Sequence, residues 1–284
     1  MSLPDKFHIS WKNYIPEYTI TSDVSAESAY PLTNMQNQNA NELTVLDMTS
    51  DTTVEWTFSS ATERAANCFA FHNHNLASDA TIRLRLFSGE GQTGTTVYDS
   101  TATDVPHAIP FGSSIAGIDP AGGYFEDEGN MKTHFSLWFD TVTFKSAQID
   151  IGCPSPTNDT LSVDKLWLGW AYAPTHGPRR DFGSELIDMS EHFRKPGGGM
   201  DTVEREAYRT LLLEFPLVVN AERHTLRNIL DRAKKGGDLL ITPDPNDAQS
   251  LFFEGTSIYR RTSDTGFIQT AYNINSFGLA LEEN

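Results

Sequence analysis

The sequence predicts a mainly β protein built as two sandwiches, the first of the jelly-roll kind and the second carrying one flanking helix. Three observations predict it. Short runs of alternating polarity recur at close intervals with turn residues between them. The composition is 38% hydrophobic and 11% aromatic, with many Thr, Ser, Asn, Gly and Pro residues, which suits strands and turns better than helices. Only one segment repeats apolar residues at helical spacing. With 284 residues the chain can bury two cores without disulfide or metal. The cluster at Pro174, His176, Gly177 and Pro178 divides it into units 1–174 and 175–284.

From the start, FHISWKNYIPEYTITSDV reads as an arm or first strand, and a strand follows near Leu43 to Met48. TTVEWTFS alternates, with Val54, Trp56 and Phe58 on one face, as a half-buried strand does. AANCFAF is a continuous apolar run and reads as an interior strand. ATIRLRLF alternates again, Ile82, Leu84 and Leu86 against Arg83 and Arg85. THFSLWFDTV, SAQIDIGC and SVDKLWLGWAYAP complete the first unit, the last with Leu166, Leu168 and Trp170 on one parity. Between Ser88 and Thr133 lies a Gly-rich, weakly patterned loop, a place to expect partner contacts.

In the second unit RTLLLEFPLVV reads as a strand, followed by a helix over 221–235. Asn220 is the expected N-cap, Glu222 sits in the first turn, and Arg232, Lys234 and Lys235 complement the dipole at the other end, with Gly236 as the left-handed stop. Leu226, Ile229, Leu230 and Ala233 form its apolar stripe. DLLITPDP, SLFFEG, TSIYRRTS and one long closing strand, FIQTAYNINSFGLALE, follow. Gly197 to Gly199 mark an exposed hairpin tip or flexible segment.

The net charge of −17 argues against nucleic acid as the main partner, since phosphate binding is driven by Lys and Arg. The acidity is uneven: residues 1–174 hold 8 of the 21 basic and 21 of the 38 acidic side chains. Cys68 and Cys153 sit in apolar contexts as small buried thiols rather than as a disulfide. No signal-peptide pattern opens the chain and no apolar run is long enough for a membrane span, so synthesis in the cytoplasm without export is expected.

Chemistry is concentrated in one place, HNHN at 72–75. His72 and His74 are spaced to share one side of a strand, and Asp79, His107 or His134 could add a third metal ligand. Against metal, HExxH and CxxC spacings are missing, and neither a metal nor a cofactor is expected. A sugar site is the second reading, with His72, His74, Asn75 and an aromatic face at Trp138 or Trp56. A plain corner, in which Asn side chains bond local backbone, is the third. The acid run Glu126 to Glu128 reads as a solvated tip rather than a calcium loop or glycosidase pair. GxSxG, Walker A and GxGxxG are missing, so an enzyme is not expected.

AYPLTNM, CFAFHNHNLASDATIRLRLF and LWLGWAYAP resemble motifs of siphophage and prophage tail-tip structural proteins, over about the first 175 residues. That resemblance implies an N-terminal galactose-binding-like jelly roll. The element order of the second half resembles the tube-type β-sandwich with a flanking helix found in distal tail and tail tube proteins. It implies a virion tail or baseplate component, assembled in the host cytoplasm into a homo-oligomeric, hexameric ring. Other tail proteins (tube, hub, fibres) would be its partners, with host surface glycan as a further partner of the outward-facing first unit. The residues expected to join subunits are Arg205, Arg209, Leu213, Phe215, Ile268 and Tyr272, on strands able to pair edges. A lectin-like glycan binder is the alternative function.

Overall fold

A computed structural model describes residues 7–37, 42–76, 79–104, 134–179, 183–194, 198–203, 208–242, 256–263 and 266–283. The described chain is mainly β, and every strand pairing in it is antiparallel. The expected arm resolves into β1 (His8–Asn13), a 3-10 turn at Ile15–Glu17 and β2 (Thr19–Ser22). β3 is Thr44–Asp47. The two runs expected as separate strands, TTVEWTFS and AANCFAF, form one 22-residue strand, β4 (Thr53–His74). They fuse because β8 (His134–Gly152) runs beside β4 from end to end, and register shifts after Ser59 and Ala66 let the pair bend rather than break.

Between them in sequence lie β5 (Thr81–Phe87), β6 (Thr96–Asp99) and β7 (Thr103–Asp104), so part of the expected long loop is strand. β9 (Thr160–Tyr172) closes the first unit. The alternation of β5 is as expected: Ile82, Leu84 and Leu86 are buried, while Arg83 pairs with Asp99 and Arg85 with Asp150 at 2.6 Å each. The first core gathers Val54, Trp56, Phe58, Phe69, Phe71, Ile149, Leu166 and Leu168. Trp56 is fully buried there, so it offers no face to a sugar.

In the second unit β10 (Gly183–Ile187) pairs with β13 (Tyr208–Val219), and β11 (Glu191–Arg194) with β12 (Met200–Val203) forms a separate exposed hairpin. Pro216, which lacks an N–H, falls where the β13 register shifts. The helix α1 spans Asn220–Ala233, and Leu226, Ile229, Leu230 and Ala233 bury its stripe as expected. Its caps differ from expectation. Val219 occupies the N-cap, because the Asn220 side chain instead accepts a 2.8 Å bond from Asn275 Nδ2. The turn out of the helix is made by Lys234 at φ 54°, and Gly237 lies so close to Ala233 O that an added Cβ would sit 2.1 Å from it.

β14 (Asp238–Thr242), β15 (Ser257–Arg261), β16 (Ile268–Ala271) and β17 (Ile274–Glu283) complete the unit. The expected long closing strand is therefore a hairpin, turned at Tyr272 and Asn273, the latter at φ 62°, a conformation asparagine tolerates. The expected strand SLFFEG lies outside the described residues. The strands run β10-β13-β17-β15-β14-β1-β9-β4-β8-β5-β6, so β1 joins the halves, bonded to β9 on one side and β14 on the other. Phe7 and Ile9 belong to the second core, with Leu213, Phe215, Leu230, Leu239 and Leu279. Among the described residues, no helix is long and apolar enough to cross a membrane.

Candidate functional site

The alternation of β4 divides its second half between two faces. Phe69 and Phe71 enter the first core, while Cys68 and Ala70 face the second unit and pack with Trp167, Ala171, Leu240 and Ile258. This two-sided burial is why AANCFAF reads as continuously apolar. His72 shares the Cys68 and Ala70 parity. Opposite these three stand Trp138, Ser136 and His134 on β8, and Gly169, Trp167 and Lys165 on β9. Two rows of the seam are thus mainly apolar or small, and the third is Lys165, His72 and His134.

The second unit meets that third row with charge. Lys165 Nζ donates to Asp238 Oδ2 at 2.6 Å, and Arg260 Nε donates to Asp238 Oδ1 at 3.0 Å. A buried lysine is tolerated only with such a partner. His134 Nε2 lies 3.5 Å from Glu283 Oε1, which also accepts from Ser257 Oγ at 2.7 Å. His72 Nδ1 lies 3.6 Å from Asp164 Oδ2, and the His72 and His134 rings are 4.5 Å apart. Ser136 and Thr256 bond at 3.1 Å, and Thr256 bonds Thr242 in turn. The two halves of the chain therefore meet through a polar cluster set beside an apolar patch.

The expected site residues separate in this structure. His72 and His74 are only 3% and 5% exposed, so neither presents its ring on an open surface. His74 turns its edge to Phe71, and its Nδ1 accepts from Leu76 N at 3.3 Å. Burial, with a smaller contribution from His134, holds the His74 imidazole down at about 3. Asn73 takes φ 52°, a conformation the corner reading allows, whereas Asn75 bonds Thr160 O and Ser162 N across to β9 rather than the local backbone expected. Trp138 is half-buried and packs on the His8 ring at 4.7 Å. Asp79 is exposed; His107 and Glu126 to Glu128 lie outside the described residues.

Of the residues expected to join subunits, Arg205 also lies outside the described residues, and Arg209 is half-buried. Leu213 and Phe215 are core residues of the second unit. The outward apolar side chains of β13 are instead Leu212, one step off the expected parity, and Leu217, within the register shift after Phe215, at 51% and 47% exposed. Ile268 and Tyr272 are exposed, at 67% and 95%.

Sequence reasoning reached His134 as a possible third ligand but missed Glu283, Asp164, Lys165 and Asp238. Glu283 carries no local signal. Lys165 does: a lysine on the Trp167 parity of an otherwise apolar strand announces a buried partner.

No protein-family model matches the chain, and none of the curated proteins matches it. Solved structures similar to it include chitosan-binding module 1 of a chitosanase/glucanase from Paenibacillus sp. IK-5, at 14% identity and TM-score 0.38, covering 55% of this chain and 98% of that one. Another is CpGH89CBM32-5 from Clostridium perfringens in complex with GalNAc-β-1,3-galactose, at 8% identity and TM-score 0.38, covering 56% and 99%. A third is the family 32 carbohydrate-binding module of C. perfringens NanJ in complex with galactose, at 14% identity and TM-score 0.36, covering 56% and 97%. These neighbours are carbohydrate-binding modules, and the tail-tip resemblance finds no counterpart among them. Likeness at this level carries no assignment of ligand to this chain.

Proposed function

We propose that the chain is a non-enzymatic structural protein whose second unit joins copies of itself into a closed ring. The observation that carries this reading is where its exposed apolar side chains lie. Of nine large hydrophobic residues exposed among the described residues, Tyr30 alone belongs to the first unit. Met189, Phe193, Met200 and Val203 flank or form the β11–β12 hairpin, and Leu212, Leu217, Ile268 and Tyr272 lie on β13 or the β16–β17 hairpin. Apolar exposure concentrated in one unit among the described residues supports an interaction surface there. β10 adds an outer edge to the sheet, where another strand can pair. The finer reading, a hexameric ring in a phage tail tip or baseplate with tube, hub and fibre proteins as neighbours, rests on the sequence resemblance alone. Light scattering and negative-stain imaging of the full chain test the proposal. Rings lost on Phe193→Asp and Met200→Asp support it; a monomer at every concentration overturns it.

A second reading, glycan binding by the first unit, is favoured by an aromatic group the sequence did not single out. Trp11, Trp170 and Tyr172 are half-buried neighbours, Trp11 and Tyr172 resting against the second core, with ring centroids 5.4 Å apart for the two tryptophans and 6.3 Å for Trp170 and Tyr172. Part-exposed aromatic faces can stack on the C–H side of a sugar. Calorimetry with galactose-type and glucosamine-type oligosaccharides tests it. Binding lost in Trp170→Ala supports this reading, and no binding by the intact protein overturns it.

A further inference from the structure

We propose that His72, His134 and Glu283 form a binding site for one divalent transition-metal ion of the zinc type, which clasps the last strand of the chain to the first sandwich. One donor atom from each residue lies within 4.8 Å of the other two. His72 and His134 are held side by side because they are register partners on β4 and β8. Glu283 comes from the end of β17 in the other unit, with Ser257 fixing its carboxylate. Around an ion with bonds of about 2.1 Å, tetrahedral donors sit roughly 3.4 Å apart. His134 Nε2 and Glu283 Oε1, at 3.5 Å, already stand at that spacing. No gap in the set exceeds 4.8 Å, about 1.4 Å beyond that spacing.

The donor chemistry selects the ion. Two imidazoles and one carboxylate suit zinc, cobalt or nickel, whereas calcium and magnesium take oxygen donors throughout. Asp164 Oδ2, 3.6 Å from His72 Nδ1 and just outside hydrogen-bond range, is the carboxylate placed to orient that ring once a small shift closes the gap, with Nε2 turned to the ion. The site joins three strands that the sequence places far apart, so an ion bound there adds to the docking of the two units already made by β1 and the Lys165–Asp238 pair.

The test is metal binding by the tag-free full chain, followed by calorimetry with Zn2+ and by the visible absorption of Co2+. The expected result is one ion per chain, with affinity reduced at least tenfold by His134→Ala and by Glu283→Gln, and about 10- to 100-fold by Asp164→Asn. His192→Ala, an exposed histidine on the β11–β12 hairpin, leaves it unchanged. Circular dichroism in EDTA confirms that each variant is folded, and Glu283→Gln, equal in shape, keeps the test valid if His134→Ala does not fold. Failure of the wild-type chain to take up an ion overturns the proposal, as does uptake that survives both ligand substitutions.

Discussion

The ion pair between Lys165 and Asp238 offers a quantitative handle on the seam. The two groups lie 2.6 Å apart with side chains 4% and 6% exposed. At an effective dielectric constant of about 20, that separation gives roughly 6 kcal/mol of attraction, much of it offset by the desolvation of both groups. Removing one partner of such a pair leaves the other buried, at about 3–5 kcal/mol. Lys165→Met falls at the lower end, because Asp238 keeps Arg260 at 3.0 Å. Asp238→Asn falls at the upper end, because it strips a carboxylate from two cations at once. The double variant Lys165→Met/Asp238→Asn costs less than the sum of the singles, with a coupling of about 1–3 kcal/mol. Urea denaturation followed by tryptophan fluorescence reads this directly, since Trp167 lies in the adjoining apolar patch. Single losses below about 1 kcal/mol that add without coupling would refute the buried-pair reasoning.

Three further outcomes are expected. Burial pushes the Cys68 thiol up to about 12, so a thiol reagent at pH 8 labels it at least about a thousandfold more slowly in the native protein than in urea; equal rates would contradict its burial. Gly237→Ala costs about 2–3 kcal/mol in thermal denaturation because its Cβ meets Ala233 O, whereas Gly236→Ala, with open space, stays within about 0.5 kcal/mol; equal effects would contradict the tight turn. Phe69→Ala, deep in the first core, costs about 3–5 kcal/mol by urea denaturation while leaving assembly through the second unit intact, and a loss under about 1 kcal/mol would contradict its packing.

Local periodicity made much of the fold legible. The alternation of β5 and the stripe of α1 are each written within one element, so burial followed the pattern. Features that depend on neighbours were not legible. Two apolar runs joined into β4 because β8 lay alongside them, and a long apolar strand became the β16–β17 hairpin because Asn273 could take positive φ. On β13, where Leu211, Leu212 and Leu213 are adjacent, the inward parity was set by pairing with β17 rather than by residue type. At the seam, the histidines were visible as a motif, but Asp164, Lys165, Asp238 and Glu283 became partners only through the register of four strands and the end of a fifth.

The position of β1 between β9 and β14 has a consequence for biosynthesis. Ile9 aligns with Tyr172 on one side and with Ile241 on the other. A ribosome adding about 5–20 residues per second produces the second partner roughly 10–50 s after β1 itself has been made. Throughout that interval one edge of the strand, and the side chains of Phe7 and Ile9, await a core not yet synthesised. The second sandwich thus cannot be completed from its own contiguous sequence. Its folding must wait on a strand already anchored in the first, which imposes an order of assembly on the chain and makes the interval before closure its period of greatest exposure to aggregation.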